Sequence, residues 1–242
     1  MASADHFHII ENCLKCPLRE DRLFCDLPDD VLKDLQEIKA TSFYPKGVLL
    51  CLEGQPARGV FILCTGRAKL STTSADGKSI ILRIAEPGEV LGLTAVIGKT
   101  SYEATAEILE PTQANFISGQ DFLHFLDKHS NVGMRVAHQL THNCRCAYEE
   151  IRSLGLAKSV PEKIARLLLK WSERPLKVVK TKPTEIAIRV TLTQEEIAQF
   201  VGTSRETVSR TLGDFKKKGW LNIRGATWYI LNKPALEKLT NS

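Results

Sequence analysis

Short apolar runs broken by glycine fill the first half of the chain. From Thr41 to Ser118 the runs VLLCL, VFILC, AKLST, IILRI and ANFIS are separated by Gly47, Gly54, Gly66, Gly77 and Gly88. Strand-length runs at that spacing predict an antiparallel sandwich or barrel, with Asp76-Gly77 as the clearest hairpin turn. Ahead of it, Leu27 to Lys39 carries Val31, Leu32, Leu35 and Ile38 on one face behind Pro28-Asp29, which predicts a short amphipathic helix packed on the sheet.

The period changes after residue 128. His129 to Leu156 is one long helical run, in which Val136, Leu140, Asn143, Ala147 and Leu154 follow mostly four- and three-residue steps, with Ile151 beside them. Such a stripe suits a two-stranded coiled coil, so a homodimer is expected; a helix packed on its own sheet is the plainer alternative. Leu156 to Val160 is the expected hinge. A helix opens at Pro161-Glu162 and ends near Arg174-Pro175, and Leu176 to Val190 is read as strand and loop with a Lys-rich stretch.

Thr191 to Trp220, TLTQEEIAQFVGTSRETVSRTLGDFKKKGW, reads as helix, tight turn, helix. Thr193 is placed to cap a helix burying Ile197, Ala198 and Val201, and Gly202 supplies the turn. Thr203 followed by Glu206 predicts a capping box for the second helix, whose inner stripe is Val208, Leu212 and Phe215. Ser204, Arg205, Glu206, Ser209 and Arg210 are left facing outward. Arginine offers paired donors to guanine O6 and N7, and glutamate accepts from cytosine N4, so this face has the chemistry to read G·C pairs in a major groove. A solvated, salt-bridged helix is the bland alternative. Asn222 to Leu231, two apolar runs around Arg224-Gly225-Ala226, predicts a hairpin wing, and Pro234 to Leu239 a last short helix.

Charge supports the nucleic-acid reading. Of 33 Lys and Arg and 28 Asp and Glu, 17 basic and 8 acidic residues fall from Lys158 onward, leaving 16 basic and 20 acidic before it. The C-terminal third is the polyanion-facing part. No apolar run approaches 18 residues and no signal-peptide pattern opens the chain, so a cytoplasmic protein without membrane contact is expected. Seven cysteines, an odd number, are then expected as thiols or metal ligands. Cys13-x-x-Cys16 with Cys25 is the candidate metal cluster, since the two-residue spacing lets two sulfurs face one metal.

Gln194 to Gly202 and Ser204 to Arg210 resemble the helix-turn-helix of the Crp/Fnr family of bacterial transcription regulators, and upstream segments follow that family's order. The resemblance implies an α+β protein with four parts. These are a Cys-containing segment (1–26), a β-roll sensor domain related to cyclic-nucleotide-binding domains (27–128), a dimerisation helix and hinge (129–157), and a winged helix-turn-helix (158–242). It implies an inverted-repeat operator, with Arg210 and Glu206 on the G·C pair of a TGA core, Arg205 on an outer guanine and Ser209 on thymine. Thr193, Thr203 and Thr207 complete the DNA-facing set. RNA polymerase is an implied partner, touched at a hairpin tip such as Asp76 to Lys78.

For the effector, Gly88-Glu89 resembles the start of the phosphate-binding segment of the cyclic AMP branch. Tyr102-Glu103 replaces its Arg-Ser pair, and Ala147-Tyr148 its Thr-Ser pair. Glu103 repels a phosphate and Tyr148 is expected to fill the cavity, so cyclic AMP is not expected. Resemblance to the Fnr branch implies an iron-sulfur cluster on Cys13, Cys16 and Cys25 with an unidentified fourth ligand, because Pro111 to Phe116, where that branch has its distant cysteine, contains none; Cys51, Cys64, Cys144 or a histidine would substitute. Two rival classes fit the residues less well. A cupin-type enzyme needs His and Glu ligands on its strands, and Ser42 to Ser118 has no histidine. A ligand-receptor module without DNA function would have no use for Arg205, Glu206 and Arg210.

Overall fold

The computed structural model describes residues 10–22, 24–173 and 185–240. The chain divides into two compact units, 1–76 with 82–146, and 77–81 with 147–242. Most of the Lys-rich stretch expected between 176 and 190 lies outside the described residues.

In the first unit α1 (Asp29–Ile38) follows Pro28, carries Asp29 and Asp30 at its positive end, and buries Val31, Leu32 and Leu35. The strands are β1 (Ala40–Tyr44), β2 (Leu49–Cys51), β3 (Gly59–Leu63), β4 (Ala68–Thr73), β5 (Ser79–Ala85) and β6 (Val90–Leu91), then, after the short α2 (Leu93–Gly98), β7 (Thr105–Ile108) and β8 (Thr112–Ser118). They form two four-stranded sheets, β1-β8-β3-β6 and β2-β7-β4-β5. The described pairings are antiparallel.

β3 shows how the core is built. All five of its residues are buried, because both its faces are covered. Phe61 and Leu63 join Ala106, Ile108 and Ala114 between the sheets, while Val60 and Ile62 point the other way and pack with Phe24, Leu32, Leu35 and Phe122. That double covering is why VFIL reads as an unbroken apolar run instead of an alternating one.

Two features depart from expectation. A separate α3 (Gly119–Lys128), capped by the Ser118 side chain accepting from the Asp121 N–H, stands between the sheet and the long helix α4 (Ser130–Leu156). Within the segment expected as a distinct piece, the described residues pack into the first unit: Phe24 is fully buried, and Cys13, Leu14 and Cys25 lie against the same core. Buried Gln113 on β8 grips it, accepting from the Ile10 N–H at 2.8 Å and donating to the Ile10 carbonyl at 2.7 Å.

In the second unit α5 (Val160–Ser172) starts at a Ser159 cap with Pro161 in its first turn. β9 (Ile186–Arg189), α6 (Gln194–Val201), α7 (Arg205–Lys217), β10 (Leu221–Arg224), β11 (Thr227–Ile230) and α8 (Lys233–Thr240) follow. The expected wing hairpin is β10 and β11. Its third strand, β9, pairs with β11 from Thr227 opposite Arg189 to Ile230 opposite Ile186.

Candidate nucleic-acid interface and thiol pocket

Helices α6 and α7 are set by their ends. Thr193 forms a full capping box with Glu196, and Gly202 ends α6 at φ 69° and ψ 48°, a left-handed turn that glycine enters without a Cβ clash. The cap of α7 is Ser204, whose hydroxyl accepts from the Thr207 N–H at 3.3 Å; the expected Thr203 box does not form. The reason is register. With Ser204 as cap, Glu206 falls at the second helical position, and its own backbone N–H and the Ser204 hydroxyl hold the carboxylate below its ordinary range. Ser204, Arg205, Glu206, Ser209 and Arg210 are all exposed, with Thr203 and Thr207 half-buried beside them. Val208, Thr211, Leu212 and Phe215 anchor the opposite face.

Thr193 is exposed while serving its cap. Lys218 lies 4.8 Å over the Trp220 ring and Arg224 5.5 Å from the Tyr229 ring. Arg224, Gly225 and Ala226 form the exposed wing tip. Sequence reasoning read that tip as a turn and missed its arginine as a candidate phosphate contact; an arginine beside a hairpin glycine in a basic domain was the available signal.

The residues expected along the dimer seam divide between two faces of α4. Val136 is 4% exposed and belongs to the sensor core, Leu140 packs half-buried against it, and Asn143 is half-buried. Val136 and Leu140 face their own sheet, where Gln139, fully buried, binds the β6 backbone, accepting from the Val90 N–H at 3.1 Å and donating to its carbonyl at 3.3 Å. The outward stripe is Met134, Ala137, Thr141, Cys144, Tyr148 and Ile151, at alternating three- and four-residue steps, and it shares Ile151 with the expected seam. Ala147 is exposed, and Met134, Tyr148 and Ile151 are 61%, 64% and 66% exposed. The side chain of Leu154 lies outside the described residues.

The residues expected at an effector pocket have the following surroundings. Glu89 is buried, ion-paired with Arg83, and accepts from the Glu86 N–H at 2.9 Å. Tyr102 is buried too; its hydroxyl donates to the Gly59 carbonyl at 2.7 Å and accepts from the Gly59 N–H at 3.2 Å. Glu103 and Tyr148 are exposed. Gly88 holds φ 92°, and a Cβ there would stand 2.7 Å from Arg22 Cδ.

Thiols are gathered. Cys13, Cys16, Cys25 and Cys64 line one pocket together with aliphatic residues such as Leu18, Leu32, Leu35 and Ile62, the arginines Arg19 and Arg22, and Asn115. Cys13 opens a one-turn helix capped by Asn12, and its N–H bonds the Gln36 side chain at 3.0 Å. Cys64 follows β3, its N–H bound to the Gln113 carbonyl at 2.8 Å. The buried Asn115 amide donates to Cys64 Sγ at 3.2 Å and points toward Cys13 Sγ at 4.0 Å. Burial pushes the Cys25 and Cys64 thiols up to about 12, reinforced by their neighbouring cysteines, and burial also raises Cys13. Among the described residues no three His, Cys, Asp or Glu are grouped to hold a metal ion. A soft, four-cysteine donor set does fit an iron-sulfur group.

The comparisons agree with this architecture. The cyclic nucleotide-binding domain family matches residues 41–129, and the Crp-like helix-turn-helix domain family matches 162–239. The transcriptional regulator LdrP of Thermus thermophilus is 30% identical over 193 residues, 79% of this chain and 92% of that protein. A CRP-like cAMP-activated global transcriptional regulator of Mycobacterium tuberculosis is 27% identical, over 81% of this chain and 85% of its own. The structure of FixK2 from Bradyrhizobium japonicum superposes with a TM-score of 0.70 at 22% identity, covering 84% of this chain and 97% of that one, a likeness of fold. No helix among the described residues is long and apolar enough to cross a membrane. With a cyclic-nucleotide-binding fold ahead of a Crp-like helix-turn-helix, and a relative matched over nearly its full length, the chain belongs to the Crp/Fnr family of DNA-binding transcription regulators.

Proposed function

We propose that the protein works as a homodimer that reads an inverted repeat with a TGA-type half-site core. The observation that carries this reading is the outer face of α7, where Arg205, Glu206, Ser209 and Arg210 are exposed together. Arg210 and Glu206 take the G·C pair of the core and Arg205 an outer guanine, by the donor and acceptor pattern of the major groove. Two-fold symmetry about α4 sets the half-sites about 34 Å apart, one helical turn. RNA polymerase is the further partner, met at the exposed tip Asp76 to Lys78.

The test is a duplex-binding series in which each half-site position is varied in turn. Glu206→Ala should erase discrimination at the core G·C pair, a loss of about 1–3 kcal/mol, and leave the other positions as they were. An unchanged preference at all positions would show the register to be wrong.

A second reading concerns the signal. The gathered thiols favour a metal or redox input at the sensor unit over cyclic AMP, whose phosphate would meet the exposed Glu103 carboxylate. Cyclic AMP at millimolar concentration should leave operator affinity unchanged.

A further inference from the structure

Four of the seven cysteines converge on one pocket, and they come from two places. Three stand on the segment from Cys13 to Cys25. The fourth, Cys64, stands at the end of β3, where Ile62 pairs with Asn115 of β8. Val60, Ile62 and Cys64 alternate along the chain, so Cys64 continues the face of β3 that looks onto α1 and the N-terminal segment. Asn115 lies on the neighbouring strand and faces the same way, its amide bound to Cys64 Sγ at 3.2 Å. Cys51 and Cys144 have no such company: Cys51 donates to the Ala104 carbonyl at 3.7 Å, and Cys144 is exposed on α4.

We propose that Cys64 is the missing fourth ligand, completing with Cys13, Cys16 and Cys25 a four-thiolate site for an iron-sulfur cluster, with Asn115 as a hydrogen-bond donor to the Cys64 sulfur. The position on β8 thus gives up ligation to β3 and keeps a supporting role. Spacing separates a cluster from a single ion. A tetrahedral zinc at about 2.3 Å from each sulfur needs the four sulfurs within about 3.8 Å of one another. Among the described residues no three His, Cys, Asp or Glu are grouped to hold a single ion, although Cys13, Cys16, Cys25 and Cys64 line the same pocket. A cluster accepts wider spacing, because each thiolate binds a different iron. Aliphatic side chains and the arginines Arg19 and Arg22 surround the thiols, and the Asn115 N–H withdraws charge from one sulfur; such surroundings tune a cluster. Ligation releases one proton from each thiol.

The inference extends the reading of the thiol pocket as the signal site, and its test is separable from DNA binding. Full-length protein is prepared without oxygen and reconstituted with ferrous iron and sulfide. Iron, acid-labile sulfide, zinc and the visible spectrum are then measured for wild type, Cys64→Ser, Cys16→Ser and Cys51→Ser. Wild type and Cys51→Ser should load equally. Cys64→Ser and Cys16→Ser should lose roughly tenfold or more of the iron and sulfide at limiting iron. Cys16 sits in the turn after the one-turn helix and its loss leaves the β3 packing intact, so Cys16→Ser answers for ligation if Cys64→Ser folds poorly. Asn115→Ala should load but shift the cluster's reduction potential. A Cys64→Ser protein that loads like wild type would overturn the assignment, as would a wild type that takes one zinc or no metal at all. Operator binding is scored on the same samples, so an intact cluster without specific DNA binding would count against the DNA reading alone.

Discussion

Gly59 has no room for a side chain. A Cβ there would stand 2.1 Å from the Ile117 carbonyl oxygen and 2.7 Å from the Phe116 ring, backbone and core that cannot both retreat. Gly59→Ala should therefore lower unfolding free energy by about 1–3 kcal/mol, measured by urea titration. Glu162 makes a pH prediction. Its carboxylate accepts from Arg166 at 2.7 Å and from the Lys158 N–H at 2.8 Å, and these contacts hold it below its ordinary value of 4.5. A depressed carboxylate contributes stability above its unfolded value that disappears as pH falls through the folded one. Glu162→Gln should thus flatten the fall in melting temperature on the acid side of pH 4.5 and lower the melting temperature at pH 7. Thr193, Gly202 and the Val208 to Phe215 stripe were legible because their cause is local. The Ser204 cap was not, since Thr203 and Ser204 both precede the helix and only the backbone decides which one caps. Cys64 was legible only as one of several thiols, because its partners lie across a sheet register that no short-range pattern encodes.

Helix α4 carries two stripes at the same spacing, which is why its existence was legible and its orientation was not. Val132, Val136, Gln139 and Leu140 form one stripe, Met134, Ala137, Thr141, Cys144, Tyr148 and Ile151 the other. Either would serve as a coiled-coil seam by period alone. The stripe richer in branched aliphatics went to the helix's own sheet, where Gln139 fixes the rotation by satisfying the Val90 backbone. The two faces should respond differently to mutation. Val136→Ala should cost about 2 kcal/mol of folding stability, the order expected for a buried valine, and leave the dimer intact in sedimentation. Ile151→Glu should do the reverse, shifting the monomer-dimer equilibrium toward monomer by tenfold or more, at about 1.4 kcal/mol per tenfold, with little change in the melting of the sensor unit. If Val136→Ala dissociates the dimer and Ile151→Glu does not, the seam assigned to the outward stripe is wrong.

At the scale of the whole molecule, a sensor must make the state of its N-terminal unit felt along α4. Two physical links run from the thiol pocket to that helix. Asp26, next to Cys25, pairs with Arg135 of α4 at 2.6 Å. Arg22, which lines the pocket, packs on Gly88, two residues before the Val90 backbone gripped by Gln139. The first link is the better one to cut. Its side chains are 33% and 49% exposed, so the pair is worth little to stability, in the range of about 0–1 kcal/mol. Its position is what matters, since any movement of Cys25 on taking up a cluster displaces the adjoining Asp26 carboxylate. Arg135→Ala should therefore fold and load iron and sulfide as wild type does. What should change is the ratio of operator affinities between cluster-loaded and cluster-free protein. Couplings of this kind span about 1–3 kcal/mol, or 5- to 150-fold in affinity, and the variant should bring the ratio several-fold closer to one. Both states must be measured at one salt concentration, because the excess of 17 basic over 8 acidic residues from Lys158 onward makes affinity fall steeply with salt in either state. A ratio equal to that of wild type would show that the Asp26–Arg135 pair carries none of the signal, leaving the contact of Gln139 with Val90 as the link to test next.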